Sequence, residues 1–483
     1  MTFLHPARGR RRARTALIAA SLLLVAGCGS VVSGVAVQNS AVAPVEGGDE
    51  TPSGLKEGAP KPTLEAEDSS ASNKYDVLAL STIEDLYTFY GTEMPKDFEM
   101  EFTPAKVLQS YDSTASSASF CGRSVKGLVN AFYSSQCDGI AWDRGELMPT
   151  LEKGVGVLSV PTVLAHEMGH LVQNRLGVAR TSTVLLEQQA DCYAGAYWRW
   201  VSEGNSKYFT FAPTSGMRGV LAALQYVGDP PGVTAQTDQA HGSAFDRVFA
   251  ATLGFTDGAK RCNAITQEEV DQRLKQNGFS GVPVNYGNLD VTDELVTDVA
   301  TTLDIYFGQT VPGYQKPTLT KFDGESAPPC AGVAQAGPVV FCAATRTISY
   351  NLQQLQEIGK PSGSWAVAKG DFSAMILLAS RYSIAALSGS GVRVDAPAGG
   401  LQALCYAGTW ANWLRSPQGP KNLALTPNDL DKAVLQVISS PLASSDVNGT
   451  SSGSVLAQVQ SFNIGVIYDI RACFDFYSGS QDG

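Results

Sequence analysis

One short run of residues occurs twice in this chain, and the recurrence limits the architectures open to it. Cys192-Tyr193-Ala194-Gly195 returns as Cys405-Tyr406-Ala407-Gly408, each followed by tryptophan-rich helical sequence. Upstream, Leu164-Ala165 matches Leu378-Ala379, and Leu86 to Gly91 resembles Leu303 to Gly308. Downstream, Gly242-Ser243 to Cys262 aligns with Gly453-Ser454 to Cys473 without a gap. Each half also carries cysteines in one order: Cys121, Cys137, Cys192, Cys262, and then Cys330, Cys342, Cys405, Cys473. Such a period means that one structural unit is built more than once. Residues 77–290 and 291–483 are therefore expected to be two copies of one domain.

The repeat narrows the cysteine pairing. Eight cysteines can pair in roughly a hundred ways. A scheme identical in both halves gives Cys121–Cys137, Cys192–Cys262, Cys330–Cys342 and Cys405–Cys473. By loop entropy, the short bridges contribute about 3 kcal/mol and the long ones roughly 4 kcal/mol. Bridges of this kind persist outside the cytoplasm.

The ninth cysteine, Cys28, follows a basic segment (Arg8, Arg10, Arg11, Arg12, Arg14) and an apolar run from Ala16 to Ala26. That run is about half the ~20 residues that a membrane span needs, so residues 1–27 read as a signal peptide. Val25-Ala26-Gly27-Cys28 resembles the lipobox of bacterial lipoproteins, which implies cleavage before Cys28, lipidation of its thiol and attachment to the outer face of the cell membrane. No later segment reads as a membrane span. Residues 29–76 are rich in Gly, Ser, Pro and acidic groups without apolar periodicity, and read as a flexible tether. The chain has 35 basic and 46 acidic residues; removing the five leader arginines leaves 30 against 46. That balance argues against a nucleic-acid partner, and the 44% hydrophobic content argues against a disordered chain.

Chemistry concentrates in the first half. Pro161 to Asn174 contains His166-Glu167-Met168-Gly169-His170, with Ser159 as expected N-cap and Pro161 in the first turn. On a helix, His166 and His170 project from one face and can share a metal ion, with Glu167 beside them as general base for a metal-bound water. Leu185 to Asp191 reads as a second helix, placing Glu187 and Asp191 on one face. Glu187 completes a His-His-Glu set, and Asp191 is positioned to orient a ligand histidine.

Together, His166-Glu167-Met168-Gly169-His170 and Glu187-Gln188-Gln189-Ala190-Asp191-Cys192 resemble the bacterial neutral zinc metallopeptidase family, a gluzincin-type zincin. The resemblance covers roughly residues 77–265, including Cys137-Asp138 and His241-Gly242-Ser243. It implies an α+β fold with the two ligand helices beside a small sheet. It further implies one Zn²⁺ on His166, His170 and Glu187, Glu167 as catalytic base, His241 as a donor near the oxyanion, and a peptide or protein substrate in the cell envelope.

The second copy acts as an internal control. Its aligned positions hold Ser380, Arg381, Ile384, Gly400, Leu404 and Ser452 in place of His166, Glu167, His170, Glu187, Asp191 and His241. It is expected to be a pseudo-peptidase, and Cys192 and Tyr193 are expected to be structural. Two other readings fit part of the pattern: a non-haem iron enzyme, since two histidines and a carboxylate also hold iron, and an envelope binding or scaffold lipoprotein with little proteolysis.

Overall fold

The computed structural model describes residues 52–478, except 116–117, 180–181, 229–241, 277–287, 333–334, 362–368, 421–422, 424 and 427. The leader, Cys28 and His241 lie outside the described residues.

The fold is mixed α and β. After β1 (Gly54–Leu55), helix α1 (Lys74–Phe98) starts where the Asn73 side chain accepts from the Tyr75 and Asp76 N–H groups. Next come β2 (Val107–Tyr111), the small hairpin β3 (Ser119–Phe120) and β4 (Arg123–Ser124), then β5 (Ala131–Ser134) and β6 (Gly139–Asp143). Helices α2 (Leu147–Gly154), α3 (Ser159–Leu176) and α4 (Thr183–Ser202) follow. Strand β7 (Phe209–Thr210) precedes α5 (Ser215–Tyr226), α6 (Ala244–Asp257), α7 (Ala259–Asn263) and α8 (Gln267–Gln276).

The later part runs through α9 (Asp293–Thr310), β8 (Thr318–Lys321), β9 (Val339–Cys342) and β10 (Thr347–Tyr350). It continues with α10 (Leu352–Gly359), α11 (Asp371–Gly389), α12 (Pro397–Arg415), α13 (Asp429–Ser439), a 3₁₀ turn (Pro441–Ser444), α14 (Val455–Ile467) and α15 (Ile470–Ser478).

Both parts build the same three-stranded pattern. The first sheet has the order β2-β6-β5, with β2 parallel and β5 antiparallel to β6; the second has the order β8-β10-β9, with β8 parallel and β9 antiparallel to β10. Strand β6 is buried along its whole length, as a central strand covered on both faces must be. Four disulfides are present in the pairing expected from the repeat: Cys121–Cys137, Cys192–Cys262, Cys330–Cys342 and Cys405–Cys473, with Cα separations of 5.9, 5.3, 5.2 and 5.8 Å.

Four features of the structure depart from the sequence reading or were not foreseen in it. Residues 52–76, read as tether, are laid against the first half. Strand β1 pairs with β7, Glu84 accepts from the Thr63 and Leu64 N–H groups, and Asp68 accepts from Gln109. Most of these contacts are backbone and polar, and the apolar ones, from Ala59, Leu64 and Ala66, follow no helix or strand period. The two halves also do not keep separate cores. Met217, Leu221, Leu224, Phe245, Val248 and Ala251, from α5 and α6, belong to the apolar cluster that fills the second half. The other large cluster joins α1, the first sheet, α3 and α4. Thirdly, α11 is long and apolar enough to cross a membrane, but nearly all of it is buried as a core helix. Finally, α3 begins at Ser159 rather than being capped by it; the Ser159 hydroxyl instead donates to the Gly156 carbonyl.

Candidate metal centre

Helices α3 and α4 cross closely because Gly169 offers no side chain; a Cβ there would lie 2.8 Å from the Ala190 Cα. This approach brings His166 and His170 opposite Glu187. One potential ligand atom from each of the three lies within 4.8 Å of the others. The His166 Nε2 is 3.2 Å from Glu187 Oε2, and the His170 Nε2 is 3.4 Å from Glu187 Oε1. The imidazole rings are nearly perpendicular, 4.8 Å apart at their centroids.

The partners of the other ring nitrogens set the tautomers. His166 Nδ1 lies 2.7 Å from Asp191 Oδ1, and a carboxylate can only accept, so the proton sits on Nδ1. His170 Nδ1 lies 3.0 Å from Gln173 Oε1. The Gln173 amide nitrogen donates to the Leu186 carbonyl and to Gln189 Oε1, so its oxygen is the end left to accept from His170. Both Nε2 atoms are thereby turned toward Glu187, the ring atoms that would ligate once a cation displaces their protons.

Electrostatics favour a cation here. Burial lowers the His166 pKa, but Asp191 and Glu187 outweigh it and push it up to about 10. His170 is likewise raised: burial opposes the shift and Glu187 prevails. For Glu187, burial alone would raise the pKa, but the two imidazoles hold it well below the ordinary carboxylate value. Glu187 Oε2 is buried and faces the His166 Nε2 at 3.2 Å without well-aligned hydrogen-bond geometry. A carboxylate held this close to two imidazoles is the donor set of a divalent-metal site, and a shared metal ion would satisfy all three. The residues present therefore fit a divalent cation.

Glu167, the expected base, sits on the same helix turn, and its Oε2 accepts from the Tyr133 N–H at 2.9 Å. That amide belongs to β5, which among the described residues pairs with β6 alone, so the sheet edge borders the site. A cavity of about 640 Å³ opens beside His170, with Phe120, Phe132, Val178 and Leu186 among its apolar walls and Arg123 on its rim.

Sequence reasoning missed Arg247. It is buried on α6, and its Nε and Nη2 donate to the two Asp191 oxygens at 3.0 and 2.8 Å, while Nη1 donates to the Val227 carbonyl. The repeat held a signal for it, since the gapless alignment sets Gln458 opposite Arg247 just as Leu404 stands opposite Asp191. The charged partners are absent from the second half together.

At the aligned positions of that half, the space is filled by protein. Ser380 donates to the Ala443 carbonyl, and the buried Arg381 guanidinium donates to the Asp446 and Ser445 carbonyls. A side chain at Gly400, opposite Glu187, would run into the Ser444 carbonyl. The 3₁₀ turn thus occupies the place where ligands converge in the first half.

Uncharacterized proteins of Mycobacterium bovis and of Mycobacterium tuberculosis strains CDC 1551 and H37Rv are each 36% identical to this chain over 118 residues. The match covers 20% of this chain and 40% of the length of each of those proteins. No family model matches the chain. No solved structure matches it either.

Proposed function

We propose that this protein is a zinc metallopeptidase of the zincin type, resembling the bacterial neutral zinc metallopeptidases, with its chemistry confined to the first half. The observation that carries this reading is the convergence of His166, His170 and Glu187, one potential ligand atom from each within 4.8 Å of the others. Zn²⁺ on these three residues would polarise a scissile carbonyl and acidify a water. The chain's own groups would do the rest. Glu167, held by the Tyr133 N–H, takes the proton of the attacking water and passes it to the leaving amine. Asp191 and Arg247 fix the His166 ring, and the cavity beside His170 receives a substrate side chain. His241 is proposed as the oxyanion donor on the sequence resemblance alone.

The second half is proposed to be a degenerate copy of the same domain. In support, helix α9 followed by the β8-β10-β9 sheet and α10 to α15 repeats the order of α1, the β2-β6-β5 sheet and α2 to α7, with matching bridges at Cys192–Cys262 and Cys405–Cys473. Its buried Arg381 and the 3₁₀ turn leave no room for a metal at the corresponding place. The lipobox-like Cys28 supports attachment to the outer face of the cell membrane.

The decisive experiment pairs metal analysis of protein purified without added metal with cleavage of a broad peptide library. One equivalent of zinc with cleavage is expected. Glu167→Gln should retain the zinc and lose turnover. Iron in place of zinc would favour oxygenase chemistry, and bound zinc with no cleavage of any peptide would favour an envelope-binding role.

A further inference from the structure

The two halves meet through α5 and α6 of the first and α13 and α14 of the second. At the centre of this contact, the Phe245 N–H in the first turn of α6 donates to Asp431 Oδ1 on α13 at 2.7 Å. The Gln225 side chain of α5 donates to the Asp431 carbonyl at 3.2 Å. Within the first half, α6 is capped by Ser243, which accepts from the Asp246 N–H. A helix start has several N–H groups without partners inside the helix, so each added acceptor fixes its position further.

The same short stretch of α6 carries Arg247, two residues beyond Phe245. Its bidentate bond to Asp191, and the 2.7 Å contact of Asp191 with His166, continue the chain of contacts to the proposed metal ligand. This path has little slack. Helices α4 and α6 touch backbone to backbone, because side chains at Gly195 or Gly254 would run into the Ala251 and Cys192 carbonyls. The Cys192–Cys262 bridge then ties α4 to the helix that follows α6. A shift at the start of α6 therefore has to move Arg247 relative to Asp191.

We propose that Asp431, contributed by the half without a metal site, is a positioning residue for the metal site of the other: by holding the first turn of α6 it sets Arg247, and through Asp191 the orientation of His166. This inference rests on the reading of His166, His170 and Glu187 as the working site. It assigns the second half a task, that of a built-in brace.

The test compares full-length wild type with Asp431→Ala, Asp431→Asn and, as a control elsewhere on the same contact, Gln460→Ala, which removes the bond from Gln460 to Thr256. The first readout is the long-range imidazole ¹⁵N–¹H spectrum of metal-free protein, in which the Nδ1 proton of His166 reports its bond to Asp191. The second is zinc affinity by chelator competition. Asp431→Ala should move or broaden the His166 signal and weaken zinc binding about tenfold or more, the size expected when the group orienting a ligand is disturbed. Asparagine keeps the acceptor oxygen, so Asp431→Asn should match wild type, as should Gln460→Ala. If the alanine variant does not fold, Asp431→Leu fills the space without an acceptor and gives the same comparison. An unchanged His166 signal in Asp431→Ala or Asp431→Leu, or an equal disturbance in Gln460→Ala, would overturn the proposal. The imidazole spectrum needs no metal, so a wild type that binds no zinc would refute the peptidase reading while the spectrum still decides this one.

Discussion

A single buried carboxylate, Asp191, faces both the imidazole of His166 and the guanidinium of Arg247. Removing the guanidinium leaves that carboxylate buried with one partner instead of two. Breaking a buried pair from one side typically costs about 3–5 kcal/mol. Arg247→Met should therefore lower stability by an amount of that order in urea unfolding. It should also weaken zinc binding by roughly 10–100-fold in chelator competition, since the orientation of His166 is no longer fixed. Wild-type zinc affinity in a folded Arg247→Met protein would remove Arg247 from the site. The difference between what was and was not legible in sequence lies here. His166, His170, Glu187 and Asp191 announce themselves because helical spacing of four puts each pair on one face. Arg247 and the Tyr133 amide join them only through tertiary packing, and a backbone N–H carries no residue type to read.

At the scale of elements, the close pairing of α4 with α6 recurs in α12 with α14. Gly254 meets the Cys192 carbonyl and Gly465 meets the Cys405 carbonyl, so neither helix pair can admit a Cβ without separating. Gly254→Ala and Gly465→Ala should each destabilise the protein by about 1–3 kcal/mol or more, the usual cost of overpacking. Thermal melts would check this, and a neutral effect at either position would mean that the helices can part. Only Gly254→Ala should also weaken zinc binding, because α4 carries Glu187. Helix α4 was expected around Glu187 and Asp191, and the pairing of bridges from the parallel order of the cysteines, whereas α6 and α14 were not read. Nor was the docking of residues 52–76. It rests on β1 pairing with β7, on Glu84 receiving backbone N–H groups and on Ala59, Leu64 and Ala66 packing singly against the core, too scattered to form an apolar pattern.

In the molecule as a whole, the boundary drawn near residue 290 separates the two proposed copies in sequence but cuts through a common core. A chain ending there would expose Met217, Leu221, Leu224, Phe245 and Val248. At about 1.5–3 kcal/mol for each such side chain, the loss is on the order of 10 kcal/mol. That is comparable to the entire stability of an ordinary domain. Such a truncation should bind hydrophobic dyes and aggregate, whereas the full chain should unfold in one transition. The same contact gives the protein a pH dependence. Burial pushes the Asp431 carboxyl up to about 7; Asp246 on α6 and Asp429 on α13 add to the rise, against the Phe245 N–H and Lys432. The ordinary value is 3.8, so the folded protein holds this proton more tightly than the unfolded chain does. Its contribution to stability is full below pH ~4 and is lost as the pH rises through about 7, where the folded state must hold a charge at a half-buried position. Asp431→Asn keeps the acceptor for Phe245 and never ionises. Subtracting its stability from that of wild type cancels the other titrating groups. The difference should favour wild type more at pH 4 than at pH 8, falling steadily between them. Parallel stability curves across that range would show that Asp431 titrates as it does in water, and that the contact between the halves admits solvent.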